Sequence, residues 1–146
     1  MNAVLLDEAI AFVAANPHVF LLARRSDGYP TGYAMMATAR PADRVIEFST
    51  YRASAKVKNL VREGAGSVLA VADGPDGRRM LLAEGTVSLA EGPRHLGDPR
   101  AGAGATGEVP AEILSTVARS HESGKRVVLE LHLTRARFVT GEMASR

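Results

Sequence analysis

Residues 44–63 read RVIEFSTYRASAKVKNLVRE, and the change of period inside this stretch decides the fold. Arg44 to Thr50 is a short β-rich run. From Ser54 to Glu63 the apolar positions Val57, Leu60 and Val61 fall at helical spacing. Ser54 is a good N-cap, because its hydroxyl can accept a bond from an early helix amide, and Gly64 to Gly66 closes the helix. Lys56 then falls in the first helical turn, where a cation opposes the helix dipole. Arg52, Lys58 and Arg62 add positive charge, with no acid between residues 52 and 62. Two readings stand: a solvated basic helix face, or an anion site built from free amides, a serine hydroxyl and a lysine ammonium.

The flanking chain is mostly β. Residues 4–15 (VLLDEAIAFVAA) place apolar side chains at helical spacing, and Asn16-Pro17 ends that helix. His18 to Arg25 is an apolar strand. Ser26 to Pro30 is turn chemistry centred on Asp27-Gly28, and Thr31 to Ala39 is the return strand. Pro41-Ala42-Asp43 is a further turn into Arg44 to Thr50, so these three strands are expected to form a meander. Ser67 to Ala72 is a fourth strand. Gly74 to Gly77 is a turn into a fifth, Arg79 to Glu91, in which Gly85 suggests a bulge or bend. Residues 92–109 are rich in Gly, Ala and Pro and read as a flexible loop. Pro110 to His121 reads as a helix with proline in its first turn. Arg126 to Thr134 alternates, with Val127, Leu129, Leu131 and Leu133 on one face, and a last short strand is expected at 137–140. Short connections exclude the parallel crossovers of a Rossmann fold. The expected fold class is mainly β: a six- to seven-stranded antiparallel barrel with short helices, in one domain spanning 1–146.

The chain has 146 residues, 46% hydrophobic and 23% charged, which is typical of a globular domain. No apolar run approaches the roughly 18 residues needed to span a membrane, and no signal-peptide pattern opens the chain. Cysteine is absent, which excludes disulfides, thiolate metal sites and thiol catalysis. A cytoplasmic location is expected. The net charge is only +2, without the clustered cations of a nucleic-acid binder. Of 18 cations only three are lysines, and Lys56 and Lys58 are two of them.

Other candidates are weaker. His18, His95, His121 and His132 show no metal-ligand spacing, so no metal is expected. Ser49 and Thr50 at a strand end can bond a ligand or simply solvate the strand. Glu84 has the chemistry of a general base but reads better as an exposed strand carboxylate. Met35-Met36 reads more readily as barrel core than as a cofactor contact. No nucleophile, base and orienter stand together, so hydrolysis has no support.

The order of these motifs resembles the FMN-binding split β-barrel family related to pyridoxamine 5′-phosphate oxidase. The carriers are a short helix, VFLLARR, Asp27-Gly28-x-Pro30, a strand ending Phe48-Ser49-Thr50, and SAKVKNL from Ser54 to Leu60. SVLAVAD, GTVSL and the C-terminal RVVLELHLTRARF follow in the family's order, so the likeness covers about residues 4–91 and 125–140.

That resemblance implies a six- to seven-stranded antiparallel split β-barrel that binds a flavin-type cofactor. The cofactor is commonly FMN, and in a large branch it is the 8-hydroxy-5-deazaflavin coenzyme of the factor-420 type. It implies a homodimer with two cofactors at its interface. The segment Ser54-x-Lys56 would hold the cofactor phosphate, with Lys58 and Asn59 in accessory positions. Tyr33 and Met35 would run along the ring system, and Ser49 and Thr50 would approach its polar edge. The implied activity is hydride transfer to or from a small planar substrate. The alternative is a flavin- or haem-binding carrier on the same barrel. The deazaflavin branch often has arginine where this chain has Ser54, and that favours FMN. The substrate-phosphate residues near the oxidase C-terminus are missing.

Overall fold

The computed structural model describes residues 3–91, 119 and 123–140. The expected loop at 92–109, and the helix at 110–121 apart from Arg119, lie outside the described residues.

Helix α1 (Ala3–Ala15) buries Leu6, Ala9, Ile10, Phe12 and Val13. Strand β1 (His18–Arg24) returns through the Asp27-Gly28 turn as β2 (Pro30–Met36). Beyond Ala37 come β3 (Thr38–Arg40), a 3-10 turn (Pro41–Asp43), β4 (Val45–Tyr51) and helix α2 (Ala55–Glu63). Strands β5 (Ala65–Gly74) and β6 (Gly77–Ala90) form a long hairpin, and β7 (Arg126–Thr140) closes the order. All pairings are antiparallel, in one seven-stranded sheet ordered β2-β1-β5-β6-β7-β4-β3.

That order corrects the expected meander. The return strand breaks at Ala37, which is 1% exposed. Its first half pairs with β1, and its second half pairs with β4. Strands β2 and β3 thus form opposite edges of the sheet yet are joined by one residue. Consecutive Cα atoms lie about 3.8 Å apart, so the two edges meet and the sheet curls on itself. The result is a split β-barrel.

The C-terminal pair of strands is instead a single strand, β7. The Glu84/Arg135 pair is followed by Gly85/Leu133, so Thr134 is the extra residue of a bulge. Before it, Val127, Leu129, Leu131 and Leu133 face the core. After it, Ala136 and Phe138 do. The shift of alternation by one residue imitates a strand end. Gly85 is required there: a Cβ would lie 2.1 Å from the His132 carbonyl oxygen.

The core joins the inward faces of the sheet to both helices, with Leu21, Ile46, Phe48, Leu81, Leu129 and Leu131 fully buried. Phe12 of α1 meets Phe138 edge-on at 5.5 Å. Across β3, β4 and β7, on the other face, the Arg40 guanidinium lies between buried Glu47 and Glu130. The contact to Glu130 is 2.8 Å, and burial of a charge in this way requires such a partner.

Candidate functional site

The period change in 44–63 produces a strand, a turn and a helix whose start is well formed. The Ser54 backbone N–H donates to the Tyr51 carbonyl at 3.1 Å. The Ser54 hydroxyl accepts from the Val57 amide at 3.3 Å, so it is the N-cap its position predicts. Gly64, in the left-handed region at φ 68°, ends the helix with its N–H on the Leu60 carbonyl. Val57 and Leu60 anchor α2 in the core and fix which way its polar side chains point.

The four cations between residues 52 and 62 have different surroundings. Arg52 donates to both oxygens of Glu91, at 2.9 and 3.0 Å, and to the Gly124 carbonyl. Arg62 donates to the Asn59 side-chain oxygen at 3.1 Å and to the Arg24 carbonyl at 2.7 Å. Lys56 and Lys58 pair with no carboxylate among the described residues. Lys58 is exposed, whereas Lys56 is half-buried with its ammonium 5.9 Å from the centre of the Tyr33 ring.

Tyr33 lies opposite Leu21 on the core side of β2. Its hydroxyl accepts a bond from the Asn59 amide at 3.1 Å. Tyr33, Lys56 and Asn59 therefore stand together, and Arg62 backs Asn59. Met35 follows Tyr33 on the same face and packs against the core. Ser49 and Thr50 point to opposite faces of β4. Arg126 lies 3.4 Å from the Ser49 hydroxyl on the outer face and stacks on Tyr51 at 4.2 Å. Thr50 is 2% exposed on the core side, and its hydroxyl oxygen has no hydrogen-bond partner. A buried hydroxyl without a partner costs about 1–3 kcal/mol. Sequence reasoning did not single out Arg62 as the partner of Asn59, although their i,i+3 spacing on α2 was the signal that could have found it.

Lys56 and Tyr33 together fit an oxygen-rich anionic group, an ammonium without a carboxylate partner at a helix start beside a tyrosine hydroxyl, and the unpartnered Thr50 hydroxyl lies at the end of the preceding strand. A cleft of about 620 Å³ lies at the opposite end of α2, lined among others by Glu63, Ser67, Glu84 and Thr86. Arg24 also lines it, but two carboxylates beside a helix C-terminus suit an anion poorly, so the phosphate candidate stays at Lys56. No helix of the described residues is long and apolar enough to cross a membrane.

No protein-family model and no curated protein matches the sequence. Solved structures do match. A conserved hypothetical protein of Mycobacterium tuberculosis, Rv2991, is 25% identical with a TM-score of 0.70, covering 100% of this chain and 89% of that one. A pyridoxamine 5′-phosphate oxidase-like protein of Listeria innocua is 16% identical with a TM-score of 0.64, covering 92% and 98%. An F420 reductase is 20% identical with a TM-score of 0.64, covering 86% and 93%. The structural neighbours of this split β-barrel include pyridoxamine 5′-phosphate oxidase-like proteins, an F420 reductase and a haem-binding protein of Mycobacterium smegmatis.

Proposed function

We propose that this chain is a flavin-type oxidoreductase that uses FMN or a deazaflavin of the factor-420 type for hydride transfer with a small planar substrate. The observation that carries the reading is Lys56. It sits half-buried in the first turn of α2 with no carboxylate partner among the described residues. A cation there is unfavourable against the helix dipole unless an anion joins it. Ser54 and Lys56 would hold the cofactor phosphate, with Lys58 at its solvent side. Thr50 would donate its buried hydroxyl, while Tyr33 and Met35 flank the ring and Ser49 approaches from the outer face. A bound flavin supplies the hydride chemistry itself, so the chain's task is to bind, orient and exclude water.

The test is a titration with FMN, FAD and the deazaflavin, followed by absorbance and fluorescence. Lys56→Ala is expected to weaken cofactor binding by roughly 10- to 150-fold, the loss of a hydrogen bond to a charged group of about 1.5–3 kcal/mol. Unchanged affinity refutes the assignment.

A homodimer is part of the proposal. The outer face of β2, β1, β5 and β6 carries the cross-strand row Ala34, Phe20, Leu69 and Leu82. Phe20 is 51% exposed, and Val71 on the same face is 40% exposed. The solvent face of an antiparallel sheet is ordinarily polar, and a contiguous apolar one suits a partner surface. Phe20→Glu is expected to yield monomers in sedimentation; a wild-type chain that is already monomeric refutes this part.

A second reading keeps the cofactor and drops the turnover. Among the described residues no nucleophile, base and orienter converge at Lys56, which suits a carrier equally well. Steady turnover with a nicotinamide or deazaflavin donor separates the two.

A further inference from the structure

We infer that Arg62 and Asn59 fix the polarity of the Tyr33 hydroxyl, making Tyr33 an obligatory hydrogen-bond donor that selects an oxygen-acceptor group on the bound ligand. The inference rests on the cofactor site proposed above and names how that site discriminates.

The argument follows the direction of each bond. A guanidinium has five N–H donors and no acceptor. Arg62 lies 3.1 Å from the Asn59 side-chain oxygen, so the atom facing it must be the carbonyl and not the amide nitrogen. That settles the orientation of an amide whose two ends are otherwise interchangeable. Arg62 is itself held by the Arg24 carbonyl at 2.7 Å, and Asn59 is only 9% exposed. The Asn59 nitrogen therefore faces the Tyr33 oxygen, at 3.1 Å. It has only hydrogens to give, so Tyr33 accepts. No acceptor for the Tyr33 proton lies within reach among the described residues. The O–H is left to donate to whatever occupies the site, with the Lys56 ammonium beside the same ring. A phosphate, carboxylate or ring carbonyl satisfies both groups; a protonated amine, which has no lone pair, satisfies neither. Asn59 and Arg62 are positioning residues in this scheme, acting only through Tyr33.

Replacing Asn59 by aspartate tests it with almost no change of shape. A carboxylate still accepts from Arg62, but it also accepts from Tyr33 and turns that hydroxyl around. Asn59→Leu removes the orientation without reversing it. Flavin affinity is measured for Asn59→Asp and Asn59→Leu, each with Tyr33 and with Tyr33→Phe, after thermal melts establish that each variant folds. With Tyr33 present, Asn59→Asp is expected to bind at least tenfold more weakly than Asn59→Leu. In the Tyr33→Phe background the two are expected to agree within about threefold, because there is no hydroxyl to turn. Arg62→Lys, which keeps a donor-only partner, is expected to retain binding better than Arg62→Met. An equal gap between Asn59→Asp and Asn59→Leu in both backgrounds means that charge alone acts, and overturns the inference. If the wild-type chain binds neither flavin, the proposed function falls. The same cycle is then run with inorganic phosphate, read by 31P line width, and absence of phosphate binding overturns the polarity scheme as well.

Discussion

Gly85→Ala should be among the most damaging single substitutions in this protein. A Cβ at this position would lie 2.1 Å from the His132 carbonyl oxygen, 2.7 Å from the carbonyl carbon and 3.1 Å from the Leu133 Cα. Carbon and carbonyl oxygen settle at about 3.3 Å or more, so β6 and β7 must part by roughly 1.2 Å at the bulge. The obstacle is backbone on a paired strand and cannot swing aside as a side-chain tip would. Parting the strands weakens about two flanking ladder bonds at about 1 kcal/mol each. It also disturbs the packing of buried Leu131 and Leu133, a further 1–3 kcal/mol or so. The expected loss is about 3–5 kcal/mol, which for a chain of this length lowers the melting temperature by roughly 10–20 °C. The assay is far-UV circular dichroism during urea and thermal unfolding, because the chain has no tryptophan to report by fluorescence. Gly64→Ala is the control. Gly64 has the left-handed backbone that Gly85 lacks, but an added Cβ there meets nothing within 4 Å, so its cost is only the conformational 1–2 kcal/mol or so. A Gly85→Ala protein within about 1 kcal/mol of wild type, or no worse than Gly64→Ala, refutes the close-approach argument.

Two further outcomes are expected. Thr50→Val keeps the shape but removes a buried hydroxyl without a partner; the ligand-free protein should be as stable or up to about 1–2 kcal/mol more stable, while flavin affinity falls. A melting temperature that drops for the ligand-free variant would show that the hydroxyl already has a partner. The Arg44 guanidinium, hydrogen-bonded to Asp7, holds that carboxyl below the usual carboxylate range. A depressed folded pKa gives stability that is present above the unfolded value, near pH 4, and is lost as pH falls through the folded value. Asp7→Asn should therefore melt slightly lower than wild type at pH 7, with the gap closing in acid and shrinking in high salt because both side chains are exposed. A gap that widens in acid contradicts the sign.

Most of the architecture is legible in the local sequence. The N-cap at Ser54, the closing Gly64, the Asp27-Gly28 turn and the bulge at Gly85 each follow from a residue whose backbone or side-chain chemistry admits few alternatives. What escapes local reading is pairing. Nothing between Thr31 and Ala39 announces that Ala37 hands the chain from one sheet edge to the other. The bulge at Thr134 shifts the alternation by one residue, and a period of two then reads as two strands. The candidate site divides in the same way. Ser54 and Lys56 are visible as a cap and a misplaced charge. The opposite facing of Ser49 and Thr50 follows from strand alternation once β4 is placed. The Arg62–Asn59 bond is an i,i+3 contact within α2 and open to local reading, but its continuation to Tyr33 was out of reach, because Tyr33 lies 26 residues away on another element.

The position of β7 carries a consequence for how the chain is made. Among the described residues it is the last strand in sequence and the only one that joins β6 to β4, between which it lies. The hairpins β1–β2 and β5–β6 can form as soon as their own residues are available. Strand β4 must wait for a partner whose register puts Tyr51 opposite Arg126, across a loop whose closure is slow. During synthesis β3 and β4 therefore remain without a sheet until the final strand arrives. A chain cut short before β7 keeps its two halves tethered through Ala37 but lacks the strand whose ladder joins β6 to β4.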